Sequence, residues 1–160
     1  MKPMSTKCKA IYTLIMNIPI ALFISLTAQL LAIAAGEASG FSFKLLGINF
    51  CLAYLISFFV GMCTPAVKWG LDFAAKCKAK PGTLKFGLLV NVIVNLVYVV
   101  VNCLILTWFN VCLLGGAPFW PAYPLSVLKM FIPIYIVGYI VSFLWNQPAE
   151  KIARKICNEE

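Results

Sequence analysis

From Phe86 to Leu114 the chain reads FGLLVNVIVNLVYVVVNCLILTWFNVCLL, without one charged side chain. A helix that crosses the roughly 30 Å hydrocarbon layer, at about 1.5 Å per residue, needs about 20 apolar residues. This run exceeds that length. It is also continuous, whereas a barrel strand shows only about 10 residues of alternating character. Three more runs share its character: Ala10 to Ala35, Leu45 to Val67 and Leu125 to Gln147. The fold class read from the sequence is therefore all-α, a polytopic membrane protein with four transmembrane helices.

Composition agrees. The chain of 160 residues is 62% hydrophobic and 11% charged, with a mean hydropathy of +0.95, where soluble domains carry about 25% charged residues. That is too little polar surface to coat a soluble globule. The first run follows Lys2, Lys7 and Lys9 and contains Ala32-Ile33-Ala34, which resembles a signal-peptide cleavage site. Its apolar stretch outruns the roughly 7–15 residues of a signal core, so it is read as a retained helix.

Orientation follows from the cations. Lys2, Lys7 and Lys9 precede the first run; Lys68, Lys76, Lys78, Lys80 and Lys85 separate the second from the third; Lys151, Arg154 and Lys155 follow the fourth. Only Lys44 and Lys129 flank the other ends, and eleven against two places both termini in the cytoplasm. Cations in short segments beside apolar runs suit anionic lipid headgroups at the inner leaflet and not nucleic acid. The expected location is a bacterial inner membrane.

The two halves match in order. Met16-Asn17 corresponds to Val90-Asn91, and the segment from Cys63 to Lys68 corresponds to that from Asn146 to Lys151. Asn17 to Asn91 is 74 positions and Pro65 to Pro148 is 83, so the second hairpin is nine residues longer. The extra length is expected in the connection from Gly115 to Pro124, which has the composition of a loop. Residues 1–80 and 81–160 then form two parallel helical-hairpin repeats related by an axis along the membrane normal. After Pro65 and Pro148 the apolar positions Ala66, Trp69, Gly70 and Phe73, and Ala149, Ile152, Ala153 and Ile156, recur at helical spacing. Two readings stay open: short amphipathic helices on the inner leaflet after the second and fourth spans, or membrane helices that continue into water.

The opening Ile11-Tyr12-Thr13-Leu14-Ile15-Met16 and the two proline-basic tails give the chain an outline that resembles domain-of-unknown-function family 2798, small bacterial membrane proteins in which such a hairpin is often present twice. The resemblance implies a membrane location and supplies no activity, cofactor or site.

Chemistry-bearing residues are few. There is no histidine, and the five acids, Glu37, Asp72, Glu150, Glu159 and Glu160, fall outside the four runs. Intramembrane carboxylates are the usual couplers of proton or cation transport, so a cation-coupled exporter is disfavoured. No paired carboxylates, nucleophile–base sets or phosphate-binding loops occur, and an enzyme is not expected. The seven cysteines lack the spacing of a zinc pair. No metal or cofactor is expected. Cys8, Cys77 and Cys157 should face the reducing cytoplasm, and Cys51 with Cys112 is the only pair near one outer surface.

On the third run Asn91, Asn95, Tyr98 and Asn102 follow at steps of four, three and four, which puts them on one helix face. Amides left in lipid would forfeit their hydrogen bonds, so this stripe must meet protein, water or a ligand. It reads either as interhelical glue or as the lining of a path for a small neutral or anionic solute. The opposite face, with Val92, Val99 and Leu106, is expected to meet lipid. On the first run Ala21, Ser25, Ala28 and Ala32 form a seam of small residues for close helix packing, with Asn17 and Gln29 beside it. Two functional classes follow: a small transporter or permeation pathway, and a non-catalytic scaffold or accessory subunit of a larger membrane complex. Either is expected to work as a homo-oligomer or with a membrane-protein partner.

Overall fold

A computed structural model describes residues 4–158 of the chain; Lys2 among the cations and Glu159 and Glu160 among the acids lie outside them. Within the described residues the protein is helical and has no strand. The elements are α1 (Thr6–Ala34), α2 (Phe43–Cys63), α3 (Ala66–Lys76), α4 (Leu84–Thr107), a π-helical extension of α4 (Trp108–Leu114) and α5 (Ala122–Cys157). Four helices, α1, α2, α4 with its extension and α5, are long and apolar enough to cross a membrane.

Local chemistry sets the ends. The hydroxyls of Ser5, Ser42 and Thr83 accept from the backbone N–H of Cys8, Leu45 and Phe86 and so cap α1, α2 and α4. Gly36 stops α1 with φ +71°, a conformation glycine enters without a Cβ penalty. Thr64 is extended, as a residue before proline prefers. Its hydroxyl binds the Val60 carbonyl at 2.6 Å, and α2 ends there.

Pro148 has no such effect. Helix α5 runs through Pro133 and Pro148 to Cys157, so the segment after the fourth span is a continuation and not a separate helix. Packing on α1 holds it in line: Tyr12 donates to Asn146, the Trp145 indole N–H donates to the Ile15 carbonyl, and Ala149 and Ala153 are buried. The Ile15 carbonyl is available because Pro19 supplies no N–H one turn later. The extra length expected in the connection after Gly115 is not found there. The π-helix Trp108–Leu114 prolongs α4 instead, and the connection 115–121 is no longer than 35–42.

The spans pack in the cyclic order α1, α2, α4, α5, with α3 folded back against α4. Their shared core holds Ile20, Ala21 and Ile24 of α1, Ala53, Ile56 and Val60 of α2, Val99, Cys103 and Leu106 of α4, and Ile134 of α5. Around it the bundle wears its largest apolar side chains outward; Leu128, Ile132, Ile136, Ile140 and Leu144 form an exposed stripe along α5. Asn17, Ser25, Ser57 and Asn102 are instead buried. Apolar outside and amide inside is the arrangement that hydrocarbon favours and water penalises.

Candidate functional site

The asparagine amides of α4 donate to neighbouring helices, while Asn102 Oδ1 is buried without a hydrogen-bond partner. Asn91 Nδ2 donates to Ser142 Oγ at 2.9 Å and to the Tyr139 carbonyl at 3.1 Å, and Ser142 Oγ donates back to Asn91 Oδ1 at 3.1 Å. Asn95 Nδ2 donates to the Tyr135 carbonyl at 3.0 Å, again on α5. Asn102 turns to α2, where its Nδ2 reaches Ser57 Oγ at 2.9 Å. Tyr98 packs on Gly61 of α2, where a Cβ would overlap its hydroxyl. The four share the inner side of α4 but divide between two partners, and each interhelical bond contributes about 0.6–2 kcal/mol.

The face assigned to lipid needs correction. Val99 and Leu106 are core residues, 0% and 5% exposed, and Val92 is only half-buried. At about 100° per residue, a position four residues on is displaced by only about 40°. Val99 therefore lies beside Asn95, and Leu106 beside Asn102. The exposed face of α4 carries Leu96, Val100 and Leu104. Cys8, expected to face the cytoplasm, is also buried, while Cys77 is exposed. Cys51 and Cys112 are not paired.

The seam on α1 divides in two. Ala21 and Ser25 are fully buried in the bundle. Ala28 and Ala32, one and two turns on, instead wall a cavity of about 630 Å³. It opens at the end of the bundle where the connections 35–42 and 115–121 lie, and Glu37 and Lys129 meet at its mouth at 3.7 Å. Ile24, Cys103, Leu106 and Ile134 of the core close it below.

Five uncharged polar side chains line this space: Gln29, Asn49, Thr107, Asn110 and Ser126. Asn49 and Asn110 bind each other reciprocally, Nδ2 to Oδ1 at 3.2 Å and 2.9 Å, and Asn110 Nδ2 also reaches the Leu106 carbonyl of its own helix at 2.7 Å. Gln29 is 3% exposed. Its Nε2 donates to the Ser42 carbonyl at 3.1 Å, which fixes the amide's orientation, and its Oε1 has no hydrogen-bond partner. A buried acceptor left unpaired costs about 1–3 kcal/mol. The π-helix contributes Asn110, Val111 and Leu114 to the wall; such segments recur where function needs a side chain re-aimed.

Comparison with protein-family models, curated proteins and solved structures gives no match for this chain. The resemblance to domain-of-unknown-function family 2798 accordingly rests on the short motifs alone.

The cavity has the proportions of a small-molecule site. Its volume falls within the range of about 300–1,000 Å³ of small-molecule sites, and its apolar wall with a few fixed polar groups is their usual composition. Sequence reasoning passed over Asn49, Thr107, Asn110 and Ser126. A signal existed for one of them: Asn110 stands two turns beyond Asn102 on the same side of an uncharged run.

Proposed function

We propose that this protein sits in a bacterial inner membrane with both termini cytoplasmic and admits a small solute from the outer face, as a transporter or permeation pathway. The observation that carries this reading is the cavity lined by Gln29, Asn49, Thr107, Asn110 and Ser126 among apolar side chains. The cation bias puts the cavity's open end outside. Core residues close its inner end, which suits a binding state facing one side. In this reading the protein acts without catalysis. At the inner leaflet, exposed Lys68 and Lys76 of α3 and Lys151 and Lys155 of α5 meet anionic headgroups, and α3 lies along the surface as an amphipathic helix. The two-repeat origin is supported by burial, since Ala66 and Gly70 are buried and so are their counterparts 83 positions on, Ala149 and Ala153. Self-association or a membrane-protein partner shares the exposed apolar belt with lipid.

A second reading, a scaffold or accessory subunit, draws on the dry contacts that occupy Asn91, Asn95 and Asn102. Cysteine labelling in an otherwise cysteine-free chain separates the two. Ala28→Cys faces the cavity and Leu30→Cys, at the same depth, faces lipid. In sealed cells an impermeant methanethiosulfonate should modify Ala28→Cys and Pro118→Cys and spare Leu30→Cys and Lys80→Cys. Protection at position 28 would reject the solute-binding reading, and reaction at 80 with protection at 118 would invert the topology.

A further inference from the structure

Resting on the cavity reading, we infer that the solute is an amphiphile drawn from the outer leaflet: its alkyl chain enters the cavity, and its head, with one positive and one negative charge, is held by Glu37 and Lys129. A second space beside the cavity gives the route. This groove of about 280 Å³ is walled by Leu31, Ala34 and Ala35 at the end of α1 and by Ser126, Lys129 and Met130 of α5. All four spans wall the cavity, through Ala28, Asn49, Thr107 and Ile134 among others, whereas the groove has walls from α1, α5 and Glu37 alone. A seam between two adjacent spans of a ring has one side toward the bundle and the other toward lipid. Cavity and groove are the two sides of this seam, and they share Glu37, Ser126, Lys129 and Met130.

The shared ion pair selects the head. Lys129 Nζ and Glu37 Oε1 lie 3.7 Å apart, and their side chains are 67% and 40% exposed, so a ligand can reach both charges. An exposed pair of this kind is weakly held. A singly charged head exchanges one partner for another and leaves the number of pairs unchanged. A head with both charges gives Lys129 an anion and Glu37 a cation, two pairs in place of one. Below the mouth the lining carries no charge and is mostly apolar, which suits a chain. From Ala32 to Ile24 the wall of α1 descends eight residues, about 12 Å, close to the depth of one leaflet in a hydrocarbon layer of about 30 Å. The aromatic side chains of the outer connections set the mouth at the height of the lipid heads. Phe41, Phe119 and Trp120 are 43%, 60% and 75% exposed there, and such rings settle at the membrane–water interface.

The test uses the full chain in dodecyl maltoside micelles, whose heads are uncharged, and a dodecylphosphocholine probe with a diazirine at the end of its chain. Irradiation followed by peptide mapping should place label on the cavity floor, at Ile24, Leu106 or Ile134. Unlabelled dodecylphosphocholine should halve that labelling at a mole fraction about two- to five-fold lower than dodecyl phosphate or dodecyltrimethylammonium, the factor for one additional exposed ion pair. Glu37→Gln should remove its advantage over dodecyl phosphate, and Lys129→Gln its advantage over dodecyltrimethylammonium. Glycerophosphocholine, which has the head and no chain, should not compete. Ala34→Trp, which fills the groove, should lower floor labelling and leave the reaction of Ala28→Cys with a water-borne reagent unchanged. Label confined to the outer belt, equal competition by the three heads, competition by glycerophosphocholine, or full floor labelling in Ala34→Trp would each overturn the inference. Those results leave the cavity reading standing as long as Ala28→Cys reacts. An unreactive thiol at position 28 would instead remove the cavity reading and this inference with it.

Discussion

Replacing Gly138 with alanine tests how α4 and α5 are joined. An added Cβ would stand 2.9 Å from Asn95 Oδ1 and 3.4 Å from Val99 Cγ2. The amide has little freedom to yield, because its Nδ2 holds the Tyr135 carbonyl at 3.0 Å. If it swings away it forfeits a bond of about 0.6–2 kcal/mol. If the helices part instead, overpacking costs about 1–3 kcal/mol. Alanine's better helix propensity returns up to about 1 kcal/mol. Gly138→Ala should therefore destabilise the wild-type bundle by about 1–2 kcal/mol. In an Asn95→Ala background the nearest obstructing atom is gone, and the same change should be neutral or stabilising by up to about 1 kcal/mol. The double-mutant cycle then gives a coupling of about 2 kcal/mol, inside the range for residues in contact. Reversible unfolding by sodium dodecyl sulfate in lipid–detergent micelles, followed by circular dichroism, measures all four proteins. An equal penalty in both backgrounds would refute the close approach of Asn95 to Gly138.

The same unfolding assay reads two further substitutions. Val99→Leu should cost about 1–3 kcal/mol, because Val99 is 0% exposed in the core, whereas Val100→Leu on the adjacent lipid-facing position should be close to silent; the opposite order would place the wrong face of α4 inward. Trp145→Phe removes the donor to the Ile15 carbonyl, which Pro19 leaves without its helical partner, and should cost about 1–3 kcal/mol. That loss should shrink when Pro19→Ala restores the backbone N–H, and an unchanged loss would mean that Trp145 contributes by packing alone.

Particular residues show where sequence reasoning ran out. Periodicity put Asn91, Asn95, Tyr98 and Asn102 on one face, and the structure keeps them inward. It could not say that Asn91 and Asn95 bind α5 while Asn102 binds α2, because one helix's sequence carries no information on which neighbour lies where. The error at Val99 and Leu106 has a different source. A central helix touching α2, α3 and α5 buries an arc much wider than a narrow stripe, so residues about 40° from an inward amide are inward too. Pro65 and Pro148 each stand near the end of an apolar run and differ in effect, since α2 ends at the first and contacts on α1 carry α5 through the second.

By itself the sequence determined the four apolar helices and the bias of their flanking charge. Both follow from lipid, which demands about 20 apolar residues and internally satisfied backbone for every crossing and holds cations on one side. These are properties of each segment taken alone. The cavity was decided only by tertiary structure. Ala28 and Ala32 continue the seam of Ala21 and Ser25 without any change in residue type. The first pair walls a space of about 630 Å³ and the second pair is packed shut, because the separation of neighbouring helices at a given height depends on the side chains of all four at once. The setting of Gln29 has the same origin: the Ser42 carbonyl that its Nε2 binds and the cavity that the residue lines come from different parts of the chain, and only folding brings them to one side chain.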